Sequence, residues 1–287
     1  MHLRGFAAAF VFTGVLCQAQ APYVETWTGR VKQDKVAEFG TFATRVADAN
    51  RRGNGDNFIA LTDFYGHDNR VAFVSPRQSL ADIEPAMARF NGALKEFMGM
   101  NMDRFIAEWS RLSEGGQSQL WMIRADMCAN LPGPDEWMKT VGSSRFMAMT
   151  YTFLKPGHGL EYDKQLTMLK QARESGSGEK LPYVVTQLMT GGSALTIRGA
   201  LPLKSLADFE KVGSIRKLLG DSYESYAQMS AQNVDRVELG IMRIVPEWSN
   251  PPKAIADADP KFWTVKAQAP MKAKPAATAP KPAKAGQ

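Results

Sequence analysis

The sequence predicts an α+β protein in which one strand–helix–strand–strand–helix–strand unit occurs twice and the two copies pair their sheets within one chain. Three observations carry this. Residue blocks recur at a nearly constant spacing, the same order of periodic segments recurs with them, and each copy's sheet is too apolar to leave one face open to water.

The blocks come first. Ser79-Leu80-Ala81-Asp82-Ile83-Glu84 returns as Ser205-Leu206-Ala207-Asp208-Phe209-Glu210, five identities in six at an offset of 126. Pro76 and Pro202, and Gly66 and Gly192, share that offset. Nearer the start, Val31-Lys32 followed by Glu38-Phe39 matches Leu154-Lys155 followed by Glu161-Tyr162 at an offset of 123. The three extra residues fit the Ser175-Gly176-Ser177-Gly178 stretch, a flexible loop by composition.

The elements follow in order. Residues 26–31 read as a strand, and 34–51 as a helix with Val36, Phe39, Ala43 and Val46 on one face. Strands 58–65 and 70–75 meet at a tight turn around Gly66. Ser79 then caps a helix, with Asp82 favouring its dipole and Ile83, Met87, Phe90, Leu94 and Phe97 forming a core stripe. A shorter helix over 103–112 and a strand over 119–124 close the copy. The second copy has a strand at 147–154, the turn Lys155-Pro156-Gly157, and a helix with Tyr162, Leu166 and Leu169 on one face. Strands 183–189 and 194–201 flank Gly191-Gly192, Ser205 caps the next helix above Asp208, and helix 221–233 leads to strand 236–245. The expected organisation is a leader at 1–21, repeats at 22–135 and 136–250, and an extension at 251–287.

A half-apolar sheet needs cover on both faces, and a second copy supplies it. This order resembles the dimeric α/β-barrel superfamily, ferredoxin-like βαββαβ domains that pair their sheets into an α/β barrel. It is most similar to the tandem, NIPSNAP-like and antibiotic-biosynthesis-monooxygenase-like branch. The carriers are Leu154-Lys155-Pro156-Gly157-His158 with Glu161-Tyr162, and the two Ser-Leu-Ala-Asp blocks; the first copy departs from the turn, with Lys32-Gln33-Asp34. The resemblance spans roughly 23–246. It implies a cavity between each sheet and its helices, used in such proteins for cofactor-free oxygenation, isomerisation, haem chemistry or binding alone.

The ends have their own character. His2 and Arg4, the apolar run 6–16 and the small residues Ala19-Gln20-Ala21 have the layout of a secretory signal peptide, cut after Ala21 or Ala19. A periplasmic or extracellular location follows as an expectation. From about 264 the chain is mainly Ala, Pro and Lys and cannot bury enough surface to order itself. The tail supplies five lysines and the leader one arginine to totals of 35 bases and 29 acids, so 29 bases face 29 acids between them. That balance argues against nucleic acid. Of two cysteines, Cys17 falls in the leader, leaving Cys128 without an internal disulfide partner.

Catalytic patterns are sparse. His67 in the hairpin turn and His158 at a helix start read as surface residues, neither placed as a haem ligand. No cluster suits zinc, no Gly-rich loop opens a helix, and no Gly-x-Ser-x-Gly elbow occurs. Met98, Met100 and Met102 read as core filling. No metal site and no cofactor is expected. The candidate ligand residues are the strand aromatics Trp27, Tyr65, Trp121, Tyr151 and Tyr183. At the 123 offset Trp27 matches Thr150 and Thr28 matches Tyr151, so the two first strands put their large ring on opposite faces. The expected function is binding of a small apolar ligand; the alternative is a cofactor-free monooxygenase or isomerase on a small hydrophobic or aromatic substrate. The expected assembly is a monomer with an internal pseudo-dimer, or a further homodimer, with no transmembrane segment after the leader.

Overall fold

The computed structural model describes residues 22–65, 69–176, 180–193 and 195–265. Its first half runs β1 (Tyr23–Val31), α1 (Val36–Arg52), β2 (Ile59–Tyr65), β3 (Arg70–Arg77), α2 (Ile83–Met98), α3 (Met102–Leu112) and β4 (Ser113–Ile123). A linking helix, α4 (Pro134–Ser143), leads to β5 (Phe146–Leu154), α5 (Gly159–Ser175), β6 (Val184–Thr190) and β7 (Thr196–Leu203). Then come α6 (Leu206–Val212), α7 (Ile215–Leu219), α8 (Tyr223–Asn233), β8 (Val234–Ile244), α9 (Lys253–Ala256) and α10 (Pro260–Trp263).

The eight strands close into one barrel in the order β1-β3-β2-β8-β5-β7-β6-β4. Every neighbouring pair is antiparallel. Each half contributes four adjacent strands, β4-β1-β3-β2 and β8-β5-β7-β6. They meet edge to edge along two seams, β2 with β8 and β4 with β6. Closure satisfies the strand edges that an open sheet would expose. It also gives each strand an inner face toward the lumen and an outer face toward helices.

The outer faces are packed. Phe39, Phe42, Ala43 and Val46 of α1 bury against Phe105, Trp109 and Leu112 of α3, Leu94 of α2, and Val31 and Val71 of the sheet. The expected α1 stripe holds except at Val36, which is exposed in the first turn. On α2 the buried residues are Ala86, Ala93 and Leu94, and Met87 faces solvent. Leu94 and Phe90 of the expected stripe stay on the core, Phe90 edge-on to Phe58 and Phe105, and the small Ala86 and Ala93 let α2 lie close along α1. Around the second sheet, Tyr162 and Leu166 of α5 pack on Val185 and Ile197. Met98, Met100 and Met102 pack on the first core, as their pattern suggested.

The two expected caps form. The Ser79 N–H donates to Asp82 Oδ2 at 2.8 Å, and the Ser205 N–H to Asp208 Oδ2 at 3.0 Å. The helix after Ser205 is broken, however. Gly213 takes φ +67°, and Ser214 accepts from the Lys217 N–H at 3.2 Å to start α7 afresh.

One end of the barrel is plugged. Val141 of α4, Ile255 of α9 and Trp263 of α10 pack into the lumen against Ile59, Leu61, Met242 and Ile244. A Cβ on Gly142 would run into the Ile255 carbonyl, so glycine permits this approach. The Trp263 indole N–H donates to Gly142 O at 2.8 Å, and Arg145 ion-pairs with Asp259. Residues 251–265 therefore belong to the barrel. The extension beyond residue 265 and the leader at 1–21 lie outside the described residues.

A buried ion cluster ties β1 and β3 to the loop before β2. Arg77 donates to both oxygens of Asp56, at 2.9 and 2.6 Å, and to Glu25 at 3.0 and 2.8 Å. Burial alone would lower the Arg77 pKa, but the two carboxylates prevail and raise it above its ordinary value.

Candidate functional site

Strand alternation decides which side chains see the lumen. On β1, Thr28 and Arg30 line it while Trp27 and Val31 belong to the outer core. A cavity of about 700 Å³ opens at the end of the barrel opposite the plug. That volume lies within the range of small-molecule sites. Arg30, Arg70, Glu114 and Arg236 stand along its lining, with Trp121, Tyr151, Phe153 and Leu188 as its aromatic and aliphatic surface.

Trp121 and Tyr151 meet edge to face, centroids 6.3 Å apart. The Trp121 indole N–H donates to Thr26 Oγ1 at 3.1 Å, which fixes its ring. Behind both lies Arg198, 5% exposed, its guanidinium 4.2 Å from the Trp121 ring centroid. Arg198 Nε donates to Thr186 Oγ1 at 3.1 Å. Burial pulls the Arg198 pKa below its ordinary value, while the neighbouring Tyr151 oxygen acts in the other direction. These residues form one row across adjacent strands, with Glu238 opposite Tyr151, Tyr151 opposite Arg198, and Arg198 opposite Thr186. The corresponding row of the first half reads Gln117, Thr28, Ala72 and Leu61 and carries no charge. At the mouth, Glu238 pairs with Arg70 at 3.5 Å and Arg236 at 3.4 Å, and Arg236 lies 3.5 Å over the Phe153 ring.

Of the five candidate aromatics, the structure brings two together in the cavity, Trp121 and Tyr151. Trp27 stacks on Trp109 at 4.0 Å in the outer core. Trp27 and Tyr151 thus occupy opposite faces of their strands, as the offset implied. Tyr65 ends β2 exposed, edge-on to Phe64 at 4.8 Å. Tyr183 is partly buried outside the lumen, its hydroxyl over Gly199 and its ring under Arg173 at 4.1 Å. The expectation of a cavity between each sheet and its helices is corrected here. That space is filled around Trp27, Phe39 and Trp109 on one side and Tyr162 and Leu166 on the other, and the opening lies in the lumen that both halves share.

His158 is not a plain surface residue. It is partly buried, with Nδ1 3.0 Å from Asn233 Oδ1. His67 lies outside the described residues. Among the described residues no group of three or more His, Cys, Asp or Glu side chains could hold a metal ion. No helix among them is long and apolar enough to cross a membrane. Cys128 is buried, and burial pushes its thiol up to about 11. It should therefore resist a thiol reagent at pH 8 in the folded protein and react fully after denaturation. Rapid labelling of the native protein, followed by absorbance, would contradict this.

Sequence reasoning missed Arg198 and the plug. Arg198 had a faint signal, a lone charge between Ile197 and Gly199 in a run of strand residues. Helix α4 had a clearer one, with Pro134 at its first position and Asp135 and Glu136 in its first turn.

No protein-family model matches the chain, and no curated protein does. Solved structures do match. An anthrone oxidase-like protein is 11% identical with a TM-score of 0.52, covering 80% of this chain and 93% of that one. A candidate monooxygenase from Fusobacterium nucleatum subsp. nucleatum is 12% identical at TM-score 0.47, over 78% and 93% of the two chains. A chlorite dismutase variant from Candidatus Nitrospira defluvii, solved with cyanide, is 12% identical at TM-score 0.46, over 84% and 97%. At these identities the likeness is one of fold. This chain is a mixed α+β protein with a closed eight-stranded antiparallel barrel, and its likeness to the anthrone oxidase-like protein is one of fold alone.

Proposed function

We propose that the chain is a binding protein for one small, mainly apolar aromatic ligand, held in the barrel lumen. The observation that supports this reading is a pocket of about 700 Å³, open at the end away from the plug, in which Tyr151 and Phe153 stand among the polar and charged residues Thr28, Arg30, Arg70, Arg236 and Glu238. A ligand there would contact residues of both halves; Tyr151 and Phe153 would supply the aromatic contact, with Trp121 fully buried behind them. We further read the two halves as copies of one ferredoxin-like unit of the NIPSNAP-like type, paired within a monomer. The leader at 1–21 would send the protein to the periplasm or the extracellular space. The lysine-rich tail would keep it soluble there.

Titration with the neutral fluorophore N-phenyl-1-naphthylamine tests the binding. One equivalent should bind, and Tyr151→Ala should weaken it by about tenfold, the scale of one lost aromatic contact. Trp27→Ala should lower stability and leave the affinity of the folded protein unchanged. Equal loss from both variants would overturn the lumen assignment.

A second reading, a cofactor-free oxygenase or isomerase, has one observation in its favour. Tyr151 sits opposite the buried Arg198 across the β5–β7 pairing and lines the cavity, where a phenol hydroxyl could exchange a proton with a substrate. Turnover of a conjugated hydroxyarene, lost in Tyr151→Phe, would support it over simple binding.

A further inference from the structure

The lumen holds a positive charge that nothing in it neutralises. Arg198 is buried, and a guanidinium keeps its proton under all ordinary conditions. Among the described residues no ion pair to a carboxylate is formed by it; its Nε donates to the Thr186 hydroxyl, and the Tyr151 oxygen is a second, neutral neighbour within hydrogen-bonding reach. The acids near the cavity are engaged elsewhere. Glu238 pairs with Arg70 and Arg236, Asp63 Oδ2 accepts from the Arg70 N–H at 3.2 Å, and Glu114 is exposed at the rim. A desolvated charge without a counter-charge is costly. The Trp121 face offsets part of that cost. Tyr151 lines the open cavity and sits opposite Arg198 across the β5–β7 pairing, while Arg70, also in the lining, lies 5.6 Å from the Tyr151 ring centroid.

We propose that the lumen selects aromatic ligands bearing an anionic oxygen, a carboxylate or a phenolate. The oxygen accepts a hydrogen bond from Tyr151, and Arg198 behind it supplies the balancing charge. The ring then lies along Phe153, toward the mouth. This deepens the binding reading above and rests on it. The first half cannot supply such a site, because Thr28 and Ala72 stand where Tyr151 and Arg198 stand in the second.

Paired probes of one shape separate the charge from the cavity. In calorimetric titrations of the full chain, 2-naphthoate should bind at least about tenfold more tightly than neutral 2-naphthamide, the scale of a charge-assisted hydrogen bond. The preference should persist in about 1 M NaCl, where screening acts over about 3 Å and weakens the exposed mouth arginines first. Tyr151→Phe and Arg198→Met should each bring the ratio near one, and Arg198→Lys should keep part of it. Should Arg198→Met fail to fold, Tyr151→Phe and Arg198→Lys carry the test alone. Equal affinity of the two probes for the unaltered protein would overturn the anion assignment and leave lumen binding standing. A preference unchanged by Tyr151→Phe and Arg198→Lys would overturn it as well. Failure of both probes to bind would overturn the lumen reading and this proposal together.

Discussion

Asp56→Ala is expected to destabilise the folded chain by about 3–5 kcal/mol, the usual consequence of removing one partner of a buried ion pair. Asp56 takes two hydrogen bonds from Arg77 and lies within 3.4 Å of the Ser75 hydroxyl. Without it, Arg77 remains buried with Glu25 alone, a residue nearer the surface. The loss should appear in a denaturant melt as a lower midpoint with little change in slope. The double variant Asp56→Ala with Arg77→Met removes both charges and should recover most of the stability. A single variant within about 1 kcal/mol of the unaltered protein would show that Glu25 or water replaces Asp56 at little cost.

Trp263→Ala should rank beside it, at about 3–5 kcal/mol for a large aromatic taken from a packed site. Trp263 is buried, bonds Gly142 O and fills the plugged end with Ile255 and Val141. None of the buried residues it packs among lines the cavity, so affinity of the folded protein for N-phenyl-1-naphthylamine should change little while stability falls. Unchanged stability on thermal melting would mean that the plug contributes little, and that the barrel closes on its strands alone.

The sequence made the strands legible because each is a short β-rich run bounded by a turn, and because the same order of segments recurs in the second half. The two Ser-Leu-Ala-Asp blocks turned up as caps in both halves. Register was not legible. That Tyr151 faces Arg198 follows from the β5–β7 pairing, which no local pattern specifies. Trp27 and Trp121 look alike along the chain, yet one stacks on Trp109 outside and the other lines the lumen. The pocket was placed between sheet and helices because it was inferred from one copy at a time. It is a property of the pair, created where β2 meets β8 and β4 meets β6. The plug escaped for a related reason. Short α9 and α10 have too little periodicity to announce themselves, and they gain their apolar contacts only from the barrel end they cover.

A crystal structure grown with N-phenyl-1-naphthylamine tests the lumen site most directly. The account predicts density for one molecule inside the barrel, in contact with Tyr151 and Phe153 and reached from the end opposite Trp263. Density between the outer sheet face and α1 or α5 would contradict it, and so would an empty lumen at saturating probe.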